Sequence, residues 1–221
     1  MKTTSGVAAR FISFEGVDGC GKSTVMDQMS AWLQAEGIPH IRTREPGGTV
    51  LGEKIRALLL DPSHGDMHPR SEVLLYTASR AQLAAQVIQP ALAEGRWVLS
   101  DRYTDATLAY QGYGRGMDRH ALRRIQDWAT GGLQPHHTVL LDCDLRVAFQ
   151  RMEAREGAPD RMEQEQESFH RRVREGYLQL AAAEPERFFI LDAGKPLAEV
   201  LDSFRDNFWL PLLGRIRREA G

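Results

Sequence analysis

Two cysteines, Cys20 and Cys143, are all that 221 residues contain. That excludes a disulfide framework and leaves no Cys/His spacing for a structural metal. No stretch approaches the roughly 18 consecutive apolar residues that a membrane-spanning helix requires. Charge of one sign is missing too. Against 30 Asp and Glu stand 28 Lys and Arg, for a formal net charge of −2, which gives no basis for non-specific attachment to nucleic acid or to an anionic membrane. There are no internal repeats and no low-complexity linkers. Met1 to Ala9 lack the long apolar core of a secretory signal and read as a short disordered tail, so the cytoplasm is the expected compartment. Residues 10–221 read as a single domain. At 42% hydrophobic and 26% charged, the composition is that of an ordinary globule able to bury a core.

One stretch carries explicit chemistry. Phe11 to Glu15 is a short apolar strand, and Gly16 to Ser23 then match G-x-x-x-x-G-K-[ST] at every fixed position, with a helical pattern following. That is the context a phosphate-binding loop requires. Glycines let successive N–H groups turn inward toward phosphate oxygens, and the helix that begins near Lys22 adds its positive end. Lys22 can reach β- and γ-phosphates, and the Ser23 hydroxyl can sit on Mg²⁺. Gly16, Val17, Asp18, Gly19, Cys20, Gly21, Lys22, Ser23 and Thr24 are the expected triphosphate contacts. Cys20 acts there as a small backbone-shaping side chain, and Cys143, at the end of an apolar run, reads as core.

Four further apolar runs, 39–43, 97–101, 137–142 and 187–192, alternate with helical patterns over 23–36, 50–60, 71–94, 168–184 and 197–218. Val25, Met29, Trp32 and Leu33 share one face of the first helix. Leu51, Ile55, Leu58 and Leu59 share one face of the second, and Ser71 reads as the cap of the third. Strand–helix alternation of this length predicts an α/β fold, a five-stranded parallel sheet covered by helices on both faces. Ligands of such sheets sit at the carboxyl ends of the strands, and polar motifs collect there: the phosphate loop, Arg44 to Thr49, Asp101-Arg102-Tyr103 and Asp192 to Lys195. Asp101, directly after a buried strand, suits a carboxylate on the Mg²⁺ side, acting directly or through water. Arg102 offers a planar fork for phosphate; the bland alternative is a surface Asp-Arg pair. The basic segment Arg151 to Arg161, broken by Gly157 and Pro159, can serve as a lid supplying an arginine to a transferring phosphoryl group. Its charge pattern is equally that of a solvated helix end.

Taken together, these motifs resemble the bacterial thymidylate kinases. The resemblance rests on the phosphate loop, Thr43 to Thr49 (Thr-Arg-Glu-Pro-Gly-Gly-Thr), Leu75 to Gln82, Asp101-Arg102-Tyr103, Ala109 to Gly112, Gly114-Arg115-Gly116 and Asp160 to Glu165. It spans about residues 10 to 205 in unbroken order. It implies a three-layer P-loop NTPase fold with a lid near 151–163, and transfer of the γ-phosphate of ATP to dTMP with Mg²⁺. Carried over by position, Tyr76 stacks on thymine, Arg80 hydrogen-bonds a thymine carbonyl, and Thr107 and Gln111 line the base edge. Tyr110 sits against the deoxyribose, and Asp18 reaches the 3′-hydroxyl. Arg102 and Arg56 hold the acceptor phosphate, with Glu45 and Pro46 at the wall of that pocket. Arg155 is the implied catalytic lid arginine beside Lys22 and Arg102, with Arg151 and Arg161 as neighbours, Arg151 touching ATP. The turn 192–194 lies near adenine through its backbone. Family habit implies a homodimer.

The chain departs from that family's pattern in four places, one of them a lid one residue longer. Asp18 stands where many have Glu, Cys20 where alanine is common, and Gly19 where members with a non-basic lid carry arginine, so the positive charge is expected from the lid. Two other functions fit the phosphate loop: a kinase for a different nucleoside monophosphate or small metabolite, and a nucleotide-dependent switch.

Overall fold

The computed structural model describes residues 8–154 and 158–219. Arg155 and most of the expected N-terminal tail therefore lie outside the described residues. Five strands, β1 (Phe11–Glu15), β2 (His40–Arg44), β3 (Trp97–Asp101), β4 (His137–Asp142) and β5 (Phe188–Asp192), form one sheet in the order β2-β3-β1-β4-β5. All four pairings are parallel, with Phe14 opposite Asp101 on one side and Val139 on the other. β1 is buried at all five positions, as a central strand covered on both faces must be. Its alternation still sorts two environments. Ile12 and Phe14 enter the larger core with Met29, Leu33 and Phe204, whereas Phe11 joins Leu83, Ile88, Val98 and Tyr103. Ser13 and Glu15 share the Phe11 face by that alternation, and both are fully buried.

The helices α1 (Lys22–Ala35), α2 (Val50–Leu60) and α8 (Glu167–Ala183) lie within a residue or two of the spans expected for them, and α7 (Leu145–Glu153) follows β4. The third expected helix is continuous but not uniform. α3 (Pro69–Leu83) widens into a π-helical turn at Ala84–Ile88 and continues as α4 (Gln89–Ala93). Its cap is not Ser71: Nδ1 of His68 accepts from the Arg70 amide at 3.2 Å, with Pro69 in the first turn, where a missing N–H costs nothing. The C-terminal helix likewise runs as α9 (Leu197–Phe204), a π turn at Arg205–Trp209 and α10 (Leu210–Glu219). α6 (Arg119–Thr130) was not anticipated, although Asp118 caps it and Gly131 ends it in the left-handed region.

Another correction concerns α2. Its buried stripe runs through Gly52, Ile55 and Leu59, which leaves Leu51 and Leu58 about half exposed and Val50 80% exposed. Between β3 and α6, α5 (Thr104–Thr107) runs straight into a π-helical turn, Leu108–Gly114. That turn lies so close to α8 that a Cβ on Gly176 would come within 2.6 Å of the Tyr113 ring. No helix among the described residues is long and apolar enough to cross a membrane.

Candidate active site

The carboxyl ends of β1, β2 and β3 converge, and the loops that leave them build the site. The phosphate loop closes against its neighbours so tightly that a Cβ on Gly19 would lie 2.2 Å from the Ala148 carbonyl of α7. Lys22, 7% exposed, folds back over its own loop, donating to the carbonyls of Gly16 at 3.3 Å and Val17 at 3.1 Å. Those carbonyls hold the ammonium where an incoming phosphate can take it. Cys20 is buried under the same loop, and burial pushes its thiol up, away from the reactive thiolate.

Arg102 joins this loop to the adjacent cleft. It is the one residue other than glycine with a positive φ, 70°, among the described residues. Its guanidinium donates through Nη1 to the Gly16 carbonyl at 2.9 Å and to the Tyr177 hydroxyl at 3.1 Å. Nη2 donates to Asp18 at 2.7 Å and to the Tyr110 hydroxyl at 2.9 Å. Tyr110 in turn donates to the other Asp18 oxygen at 3.0 Å, with its ring 4.8 Å beneath the guanidinium. Burial opposes a charge on Asp18, but Arg102 and Lys22 outweigh it and hold the carboxyl well below the usual range. One acid in the phosphate loop is thus fixed to both walls of the site.

Beyond Arg102 opens a cleft lined by Asp18, Glu45, Pro46, Arg56, Tyr76, Arg80, Thr107, Tyr110, Asp160 and Met162, among others. Arg80, 1% exposed, closes its far end. It donates to Glu45 at 2.5 Å, Thr107 at 2.8 Å, the Tyr103 carbonyl at 3.0 Å and Gln126. A guanidinium has five N–H bonds, so one remains for a ligand. The second Glu45 oxygen is buried without a partner. Burial raises that carboxyl to about 7 against the pull of Arg80. Arg56 donates to the Pro46 carbonyl at 3.0 Å across the cleft mouth. Gln111 is placed differently from the sequence expectation: its amide donates to Glu72 at 2.8 Å, and it does not line the cleft.

At the lid, Arg151 reaches the turn after β5, donating to the Ala193 carbonyl at 3.0 Å. Arg161 is not a free lid arginine. It is 6% exposed, donates to the Leu59 carbonyl at 2.7 Å and pairs with Glu72 at 2.7 Å. Glu72, wholly buried, also takes a two-bond contact from Arg115, which reaches on to Glu165. Asp160, at the cleft edge, and Glu163 cap each other's backbone amides, the reciprocal pattern of a capping box. For a metal, Ser23 and Asp101 line one side cleft, and Asp101 Oδ1 is buried there without a partner. A hydroxyl and an unsatisfied carboxylate oxygen fit a hydrated Mg²⁺ shared with phosphates. Among the described residues, no group of three or more His, Cys, Asp or Glu is arranged to hold a metal unaided.

A family model described as thymidylate kinase matches residues 14–204. The chain belongs to the thymidylate kinase family. It is 52% identical over 190 residues to a thymidylate kinase of Deinococcus radiodurans, covering 86% of this chain and 91% of that one. It is 49% identical over 197 residues to one of Desulfovibrio desulfuricans, with coverage of 86% and 91%. The thymidylate kinase of Alkalilimnicola ehrlichii is 47% identical, with coverage of 89% and 91%. Against that family setting, the residues missed by sequence reasoning stand out. Glu15, Glu72 and Tyr177 are buried polar groups around this kinase's cleft, and none was singled out for a role from the sequence. Only their burial beside apolar neighbours marks them.

Proposed function

We propose that this kinase transfers the γ-phosphoryl group of ATP to the 5′-phosphate of dTMP, giving ADP and dTDP. The observation that carries the reading is Arg102, whose guanidinium touches the phosphate loop at Gly16 and Asp18 and also lines the adjoining cleft. A group there can hold an acceptor phosphate next to the donor's terminal phosphate, which is the orientation phosphoryl transfer demands. Lys22 exchanges its two loop carbonyls for phosphate oxygens, and Arg56 adds charge at the cleft mouth. No general base is needed, because the acceptor phosphate is already anionic near neutral pH. When bound, Mg²⁺ supplies charge neutralisation across the β- and γ-phosphates; Ser23 and, through water, Asp101 would hold it. Arg155, outside the described residues, is the candidate lid arginine for charge on the transferring group, with Arg151 near the adenine end.

Thymine specificity is assigned to the far end of the cleft. Tyr76 stacks on the base, the fifth Arg80 N–H meets a thymine carbonyl, and Thr107 borders the base edge. Gln111 reaches that edge only by exchanging Glu72 for the base. Tyr110, locked between Asp18 and Arg102, crowds the sugar C2′ side. We place the enzyme in the cytoplasm as a homodimer. Val50, Leu51 and Leu58 on α2, Leu74 on α3 and Trp128 on α6 are all exposed, and α3 packs against both neighbouring helices. The deciding experiment is an acceptor panel with Mg-ATP: dTMP, dUMP, dCMP and dGMP, plus a blank without acceptor. Preferential turnover of dTMP is expected. Faster phosphorylation of dCMP or dGMP, or full ATP hydrolysis in the blank, would overturn the assignment.

A further inference from the structure

Glu15 closes β1 immediately before the phosphate loop, fully buried and away from the cleft lining. Each of its oxygens accepts one hydrogen bond at 2.7 Å, Oε1 from the Tyr103 amide and Oε2 from the Tyr177 hydroxyl. Both donors lead to Arg102. Tyr103 follows it in the chain, and the Tyr177 oxygen accepts from Arg102 Nη1 at 3.1 Å. Arg102 holds a φ of 70°, a region that side-chain-bearing residues occupy only when their surroundings over-determine it. A phenol carries a single hydrogen. Tyr177 can therefore accept from Arg102 only while its own hydrogen is turned elsewhere, and Glu15 is where it is turned.

We propose that Glu15 is a positioning residue for the acceptor phosphate: its carboxylate orients the Tyr177 hydroxyl and the Tyr103 amide, and through them fixes the Arg102 guanidinium. The inference rests on the assignment of Arg102 to the acceptor phosphate made above. Hydrogen-bond polarity in this chain runs one way, from Arg102 to Tyr177 to Glu15. An amide in place of the carboxylate reverses it, since one end of the amide must then donate toward Tyr103 N–H or Tyr177 O–H. Protonation does the same, because the acid would have to donate where a donor already stands. The groups facing Glu15 are Asp105 from α5, Arg102 and Tyr103 from the loop after β3, and Tyr177 from α8. Arg187, in the turn just before β5, pairs with Asp105 at 2.6 Å. Burial and then Asp105 push the Glu15 carboxyl up against the pull of Arg102, Tyr177 and Tyr103.

The test is steady-state kinetics of Glu15→Gln, Tyr177→Phe and the double variant, varying dTMP and ATP in turn across about pH 6 to 9. In each single variant kcat/KM for dTMP is expected to fall roughly 10- to 100-fold, the weight of one hydrogen bond to a charged group. KM for ATP stays within about threefold, and the double variant is no worse than the poorer single one, as members of one chain require. The wild type shows an acid limb in kcat/KM for dTMP above the ordinary carboxylate range, as the raised Glu15 carboxyl requires, and Glu15→Gln abolishes it. Tyr177→Phe keeps the ring that packs 6.3 Å from Tyr110, so it carries the test if Glu15→Gln does not fold. Wild-type kcat/KM for dTMP in the folded variants, equal losses toward both substrates, or additive losses in the double variant would each overturn the proposal. If the wild type prefers another acceptor, the dTMP assignment fails separately, and the Glu15 series is read with that acceptor.

Discussion

Arg80→Lys tests the buried guanidinium at the far end of the cleft. The guanidinium serves four acceptors, Glu45, Thr107, Gln126 and the Tyr103 carbonyl, from nitrogens spread around a plane. An ammonium has three N–H bonds radiating from one nitrogen. At least one acceptor goes without, and the spread of the four makes it two. Each buried group left unpaired costs about 1–3 kcal/mol. Because the charge survives beside Glu45, the loss stays at or below the roughly 3–5 kcal/mol of a broken buried ion pair. A value of about 3 kcal/mol follows, which for a chain of this size lowers Tm by about 6–12 °C. The fifth N–H, the one available to a base, disappears as well, and KM for dTMP rises about tenfold. Calorimetry and dTMP titration of the same preparation check both figures. A Tm within about 2 °C of wild type would refute the stability argument, and an unchanged KM would refute the assignment of the free N–H.

Two glycines of the phosphate loop separate crowding from strain. Gly19→Ala drives a methyl to 2.2 Å from the Ala148 carbonyl at a φ of 78°, whereas Gly21→Ala, at 98°, meets nothing within 4 Å. Nucleotide titration is expected to show ATP affinity falling at least about tenfold for the first, and stability falling by only about 1–2 kcal/mol for the second; the reverse order would mean that the loop is free of α7. A third prediction concerns acid. Burial, then Arg215, lowers the His137 imidazole from 6.5 to about 4, so the unfolded chain takes up the proton first as pH falls. Stability must decline as pH drops from about 6.5 toward 4. His137→Gln flattens that part of the Tm–pH curve, and an unchanged slope would show that other groups carry it.

Most of the sheet was legible because its strands are short and apolar, and because Gly16 to Ser23 is a motif with a physical mechanism. Helices whose ends are marked and whose apolar faces repeat, such as α1 and α8, were equally readable. What escaped has local causes. Leu108 to Gly114 is a π-helical turn buried by α5, α6 and α8, so it shows no apolar period. α6 was marked by Asp118 and Gly131, but its mixed composition hid them. His68 took the capping role expected of Ser71, and the Pro beside it was the signal to read. Within the site, motif residues such as Tyr76, Arg80 and Arg102 could be named from the chain. Glu15 and Tyr177, 162 positions apart, could be joined only by the fold. The same holds for Glu72, whose partners Arg115 and Arg161 lie 43 and 89 residues further along.

The sheet order has a consequence for synthesis of the protein. The phosphate loop is translated before β3 and β4, yet β1 lies between them, with Asp101 opposite Phe14 and His137 opposite Ile12. Arg102 contacts the Gly16 carbonyl across 86 residues, and Tyr177 reaches Glu15 only when α8 is present. Such distant pairings come late, after loop-closure entropy has been overcome. A nascent chain therefore carries the nucleotide motif without walls on either side until β3, β4 and α8 have been made. Binding competence is acquired with the sheet and α8, not with the motif.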